Sequence, residues 1–309
     1  MTVSTLGQKN GAGADALFLK VFAGEVLTAF WAENKFLSRS MVRTIQSGSS
    51  AQFPASWKGT AHYHTPGTQL VGTGEPARNE RIITIDDLLV ADRFVSNIEE
   101  AKNHYDVRAE LSRDIGMALS STMDKNLAKV GILAARATAT VTGGDAGSAI
   151  ISATAKTNAD ALIAAAFSAA QALDEKNVPQ NDRAIFVAPQ QYYTLVNSSS
   201  KLINRDYGND GNGSIASGEV YRVAGLEIVK TNNHPFGVNV NTGVAAYQGD
   251  FTNTAALVMQ KGAIGTVKLM DVHVESAYEM LWQGWLIVGR YACGHGILRP
   301  ECAVEIKIA

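Results

Sequence analysis

The chain has 309 residues, 46% of them hydrophobic and 18% charged, with a formal net charge of −2. This is the balance of a folded protein of one large or two ordinary domains, and it excludes both a disordered chain and a chain-wide basic field for holding nucleic acid. Cys293 and Cys302 are the only cysteines and form no CxxC pair, which argues against a disulfide scaffold or a cysteine zinc site; no apolar run reaches the ~18 residues of a membrane helix.

Residues 1–14 are polar and Gly-rich, unlike a signal peptide, and are expected to form a mobile arm in a cytoplasmic setting. Asp15 can cap a helix over about residues 16–32, whose apolar positions include Leu17, Val21, Phe22, Val26, Leu27 and Phe30. From 41 to 95 the character changes. MVRTIQ and ERIITID alternate like strands, and between them lies a long stretch, residues 47–79, rich in Gly, Ser, Thr and Pro. Structureless loops longer than about 12–15 residues are uncommon in compact domains unless functional. This one is predicted to be a two-stranded arm reaching away from the core, with Ala61 to His64 able to pair as a strand, because nothing in it fills a core of its own.

Residues 98–136 form one helical pattern without proline, weakened only by Gly116 and Gly131. At 1.5 Å per residue it would reach about 58 Å, whereas a compact globule of this length has a radius of gyration of about 19 Å. Ile98, Ala101, Tyr105, Ile115, Leu119, Met123, Leu127 and Val130 share one face; Glu99, Asn103, Asp106, Glu110, Arg113, Asp114, Ser121 and Asp124 occupy the other. Glu100 and Arg108 intrude on the apolar side, and Met117 on the polar side.

A Gly-rich break (140–148) precedes an Ala-rich helix from about Asn158 to Lys176, which stops before Pro179. RAIFVA (183–188) reads as a buried strand, and PQQYYTLV starts with proline where a first helical turn accepts it. After the polar stretch 204–218 come strand-like EVYRVAGLEIVK and TGVAAYQ. AALVM, AIGTVKLMDVHVES, WLIVGRYAC and AVEIKIA make the last third mostly β. The order is that of an α+β protein with an inserted lobe.

No catalytic or cofactor motif survives inspection. His62 and His64 would share a strand face but lack further ligands. Asp86-Asp87 and Glu99-Glu100 are adjacent carboxylates that point apart, where acid–base work needs convergence. TGGDAG (142–147) lacks the Lys-Ser/Thr ending of a phosphate loop, and Gly294-His-Gly296 lacks the third glycine of a dinucleotide turn. No cofactor and no metal are expected.

Six blocks carry a resemblance: ALFLKVFAGEVLTAF (16–30), SGSSAQFP (47–54), ITIDDLL (83–89), NHYDVR (103–108), GTVKLMD (265–271) and GHGILRPE (294–301). They resemble, in order and across essentially the whole chain, the major capsid protein of T-seven-type short-tailed bacteriophages (podoviruses, autographiviruses). Residues 137–260 match more loosely. The resemblance implies an α+β fold of the HK-ninety-seven type. It would comprise an N-terminal arm (1–40), an extended β-hairpin E-loop (41–95), a peripheral domain (96–182 and 265–309) built on a spine helix (98–136), and an axial domain (183–264). Against that family the chain is shorter after the spine helix and in the axial domain.

The resemblance further implies a non-enzymatic virion protein, assembled in the bacterial host cytoplasm through hexamers and pentamers into an icosahedral head around double-stranded DNA. Its expected partners are a scaffolding protein and a portal protein, with a decoration protein as a further candidate. Maturation would expand a round precursor, with Gly72 to Gly74 and Gly143-Gly144 as candidate flex points. Lys58 lies in the loop whose lysine cross-links subunits in the prototype of the fold; this group is not expected to do so. Arg43, Trp57, Lys58, Arg78, Glu80 and Arg81 are the arm's candidate contacts with other subunits, since Trp and Arg anchor interfaces. Glu100, Arg108 and Met117 are candidate contacts of the spine helix with a neighbour's E-loop or N-arm. An encapsulin-like compartment and, with less support, a soluble α+β enzyme are the alternatives.

Overall fold

A computed structural model describes residues 34–69, 76–97, 107–198, 213–214, 219–220 and 222–308, giving only the backbone of 107–110, 112, 213–214 and 219–220. The expected helix over 16–32, the first turns of the long helix (98–106), Gly72 to Gly74, Glu100 and the side chain of Arg108 lie outside the described residues. In chain order the elements are β1 (Met41–Thr44), β2 (Ser50–Ser56), β3 (Arg78–Thr84), β4 (Leu89–Ser96), α1 (Val107–Arg136), β5 (Ser148–Ile151), α2 (Ala159–Glu175), β6 (Arg183–Val187) and α3 (Pro189–Ser198). There follow β7 (Gly213–Ser214), β8 (Glu219–Val220), β9 (Arg222–Val223), β10 (Leu226–Lys230), β11 (Asn239–Val240), β12 (Gly249–Asp250), β13 (Thr254–Gln260), β14 (Ile264–Glu279), β15 (Gly284–Ile297) and β16 (Ala303–Lys307). Among the described residues the chain groups into two compact units, one drawn from Asp86–Met123 and Lys268–Cys293, the other from Lys35–Ile85, Asp124–Val267 and Gly294–Ala309.

The larger unit is organised by a six-stranded sheet in the order β5-β16-β13-β6-β10-β9. Residues Ala184–Val187, Ala255–Met259 and Ala303–Ile306 are buried without alternation, so the central strands need cover on both faces. Leu257 stands opposite Phe186 in the antiparallel β13/β6 register, and paired side chains share a face. On that face Phe36 stacks on Phe186, with centroids 4.1 Å apart. Gly131 of α1 approaches the same face so closely that a Cβ there would lie 2.7 Å from Leu257 Cδ2.

On the opposite face, Ile185 and Ile228, partners in the parallel β6/β10 register, meet Leu162, Ile163 and Ala166 of α2 and Leu195 of α3. α2 begins where the sequence predicts, because the Asn158 side chain accepts the Asp160 N–H at 2.9 Å. Its Leu162, Ala165, Ala166, Ala169, Ala170 and Leu173 form the buried stripe. This unit is therefore layered as helix, sheet and helix.

α1 ends at Arg136 as expected, and Ile115, Leu119, Met123, Leu127 and Val130 are each at most 2% exposed. Its polar face needs one correction. Asp124, placed on the polar face by the helical period, is fully buried, and its carboxylate accepts the backbone N–H of Lys35 (3.1 and 2.8 Å) and of Phe36 (3.2 Å). Backbone donors replace the water that the carboxylate loses. Arg136, at the other end of the helix, pairs with the fully buried Glu305, its Nε and Nη2 donating at 2.7 and 2.6 Å.

In the smaller unit β14, β15 and β4 lie in that order, with β15 antiparallel to β4 from Gly284↔Ser96 to Tyr291↔Leu89. Gly289 leaves room for the helix, since a Cβ there would stand 2.6 Å from Ile115 Cγ2. Arg93 Nε and Nη2 donate to Asp114 Oδ2 at 2.8 and 2.6 Å.

Three further expectations differ from the structure. TGVAAYQ is not a strand but holds a short 3-10 turn, Ala245–Tyr247, that buries the tyrosine ring. Ala61 to His64 form no strand. The arm is also not wholly coreless: Ala51 and Ile83 join Val267 and Leu298 in a small buried cluster. The glycines of GHG make that possible, as a Cβ on Gly294 would collide with Thr84 O and one on Gly296 would stand 2.7 Å from Ile83 Cγ1.

Candidate inter-subunit surface

The arm is an antiparallel hairpin, β2 against β3, in register from Ser50↔Thr84 to Ser56↔Arg78. The two-residue period of a strand sorts its candidate contact residues into two faces. One face holds Ala51, Phe53 and Ala55 with Ile83, Arg81 and Asn79, and it turns toward the chain's own body. Asn79 Nδ2 donates to Thr140 O at 2.7 Å, and Arg81 Nε to Thr140 Oγ1 at 3.2 Å. Arg81 is thus half-buried and engaged within its own subunit. The other face presents Arg78, Glu80 and Ile82, all exposed.

Trp57 sits where the hairpin leaves regular structure. It is half-buried in a cleft with Ala55, Thr140, Val141, Gly144, Arg299 and Glu301, and its N–H donates to Ala77 O at 2.9 Å. Lys58 is exposed, with Nζ 5.4 Å from the Trp57 ring centre. Arg43 is exposed too, its guanidinium 4.6 Å over the Phe53 ring and its Nη1 donating to Gln52 O at 2.5 Å. Beyond Trp57 the described chain is exposed from residue 58 to 69, and Tyr63 is completely so. Met117 on α1 is 45% exposed.

Sequence reasoning passed over one feature of the smaller unit. At the turn between β14 and β15, Met280, Leu281 and Trp282 are 75%, 91% and 74% exposed. The available signal was composition, because hairpin turns ordinarily carry Gly, Asn, Asp, Pro or Ser rather than three large apolar side chains in a row.

Nothing among the described residues converges on catalysis. His62 and His64 are exposed on a segment without regular structure, and no group of three metal-ligating side chains forms among the described residues. Both thiols are buried, and burial pushes Cys293 and Cys302 each up to about 12, so neither is a thiolate nucleophile at neutral pH. What the molecule presents is surface: a charged, sparsely packed arm and an apolar turn.

A family model described as Gp10A-like, major capsid protein, matches residues 52–307. The major capsid protein of Escherichia phage T7 is 34% identical over 319 aligned residues, spanning 93% of this chain and 90% of the relative. That of Enterobacteria phage T3 is 31% identical over 345, spanning 99% and 96%. Among solved structures, the capsid of Cyanophage P-SCSP1u is 41% identical and superposes with a TM-score of 0.79, over 100% of this chain and 99% of that one.

Proposed function

The chain belongs to the Gp10A-like major capsid proteins, and from that membership we propose that its copies close through hexameric and pentameric capsomers into a head enclosing double-stranded DNA. The protein is a major capsid protein of a phage virion with the HK-ninety-seven-type fold, and it assembles into an icosahedral shell. Its role is structural, and we read it as non-catalytic. The observation that carries this reading is the 41% identity to the Cyanophage P-SCSP1u capsid over the full length of both chains.

Within the subunit we assign residues 1–40 to the N-arm, 41–95 to the E-loop, 96–182 with 265–309 to the peripheral domain, and 183–264 to the axial domain. Heterologous contacts of the axial lobe generate rings, and arm and spine contacts link one ring to the next. Each contact is modest; their number holds the shell. Arg43, Lys58, Arg78 and Glu80 are exposed charges of the arm that complementary charges on the receiving subunit would pair. The near-neutral whole chain suits a wall that contains DNA without gluing it down. A scaffolding protein, a portal and a decoration protein complete the proposed partners.

Expression with a scaffolding protein, followed by size-exclusion chromatography and negative-stain microscopy, tests the reading. Closed shells are expected. A chain found only as monomer or dimer contradicts it, and shells that load host proteins but never DNA favour a cargo compartment of the same fold.

A further inference from the structure

The short stretch Lys35–Ser40 is fastened to the larger unit by four of its elements. The backbone N–H groups of Lys35 and Phe36 donate to the Asp124 carboxylate of α1. Phe36, fully buried, stacks on Phe186 of β6. Arg39 pairs with Glu227 of β10, while its Nη1 donates back to Lys35 O at 3.3 Å. Ser40 Oγ donates to Leu37 O at 2.8 Å and lies 3.5 Å from Thr266 Oγ1 of β14. Between these anchors the chain makes one 3-10 turn, Leu37–Arg39. An isolated turn does not persist in water, so the anchors rather than the turn's own hydrogen bonds hold its shape. Immediately past the last anchor the character changes, and Met41–Thr44 are all exposed.

Apolar burial of Phe36 and Leu37 alone would keep the stretch against the sheet. The carboxylate adds something else. Burying Asp124 is costly unless its donors stand in one geometry, so the stretch is either docked in full or not docked. We propose that Lys35–Ser40 is a fixed clamp between the residues that precede it and the arm that follows, with Asp124 as its lock; this rests on the capsid reading above. One sequence that serves both five- and six-membered rings meets unequal surroundings, and adjustment has to stay outside the packed sheet. The clamp confines it to the chain before residue 35 and after residue 40. A load arriving through the arm ends on α1, β6 and β10, and is not passed along the chain.

Hydrogen exchange of the Lys35–Ser40 amides, compared between wild-type shells and subunits dissociated from them, reads the clamp directly. In both, these amides are expected to exchange about a hundredfold more slowly than those of residues 58–69, and the two rates are expected to agree within about threefold. A larger difference between shell and free subunit overturns the inference alone, as does exchange as fast as that of residues 58–69 in either. Asp124→Asn keeps the shape of the side chain and removes one acceptor oxygen. In the free subunit it is expected to speed exchange at Lys35–Ser40 about tenfold while the amides of β6 keep wild-type rates, because only the local opening is affected. Equal acceleration of β6 makes Asp124 a general core residue and overturns its role as the lock, and so does a variant that exchanges like wild type. A wild-type chain that forms no shell at all overturns the capsid reading and this inference together.

Discussion

Asp124 and His295 are buried polar groups whose environments set how the subunit responds to mutation and acid. Asp124 holds the backbone of Lys35 and Phe36, and its burial raises the carboxyl above the usual range although those backbone donors pull it down. Replacing it with alanine strands the buried N–H of Phe36 and the part-buried N–H of Lys35. Asp124→Ala is expected to cost about 2–3 kcal/mol, read as a lower urea midpoint of the dissociated subunit. His295 is buried beside Thr266, its Nδ1 3.1 Å from Oγ1, and complete burial lowers it to about 3. Its folded pKa lies below its unfolded one, so its stabilising contribution is complete above about pH 6.5 and is lost as pH falls toward 3. The loss is expected to approach 1.4 kcal/mol per pH unit below 6.5. Asp124 acts with the opposite sign, so the measurement is the difference between wild type and His295→Gln at pH 7 and pH 5. The variant should lose less stability than wild type over that interval; parallel losses contradict the assignment.

At the level of elements, Gly131 marks where α1 meets the sheet. Alanine there gains about 1 kcal/mol of helix propensity and loses a similar amount to the contact with Leu257, so Gly131→Ala should be nearly neutral. Gly131→Val exceeds the available space and is expected to cost about 2–3 kcal/mol, seen in thermal melts of the subunit. Periodicity made much of this architecture legible beforehand. The end of α1 at Arg136, the Asn158 cap, the buried β6 and the strand-rich last third all follow from local pattern. The burial of Asp124 did not, because its partners Lys35 and Phe36 lie far away in sequence and only the fold brings them together. β5 and β4 were also missed. Ser148–Ile151 follows a Gly-rich break and becomes a strand by pairing with β16, while the 41–95 region concealed Leu89–Ser96. The apolar hairpin tip carried a compositional signal that periodicity does not register.

For the whole molecule, the arm matters most. Its root is buried by Ala51 and Ile83, and Arg81 is occupied at Thr140, but residues 58–69 have no burial of their own. Of the contact residues expected from sequence, Arg43, Lys58, Arg78, Glu80 and Met117 are exposed, Trp57 is shared between cleft and surface, and Glu100 and the Arg108 side chain lie outside the described residues. Reversing charge with Lys58→Glu and Arg78→Glu together should leave the free subunit's unfolding free energy within about 0.5 kcal/mol of wild type per site, as for exposed sites generally. Shell yield should fall, most steeply at low salt, where surface electrostatics are least screened. Equal yields across salt would remove these residues from the interface. If the chain is one tile of a closed shell, its arm is expected to find its burial on a neighbouring tile. A cryo-electron microscopy reconstruction of the assembled particle tests it most directly. An icosahedral shell is expected in which another subunit's density packs against Arg78, Lys58 and Tyr63. A shell in which that loop stands free in solvent, or particles no larger than a dimer, would contradict it.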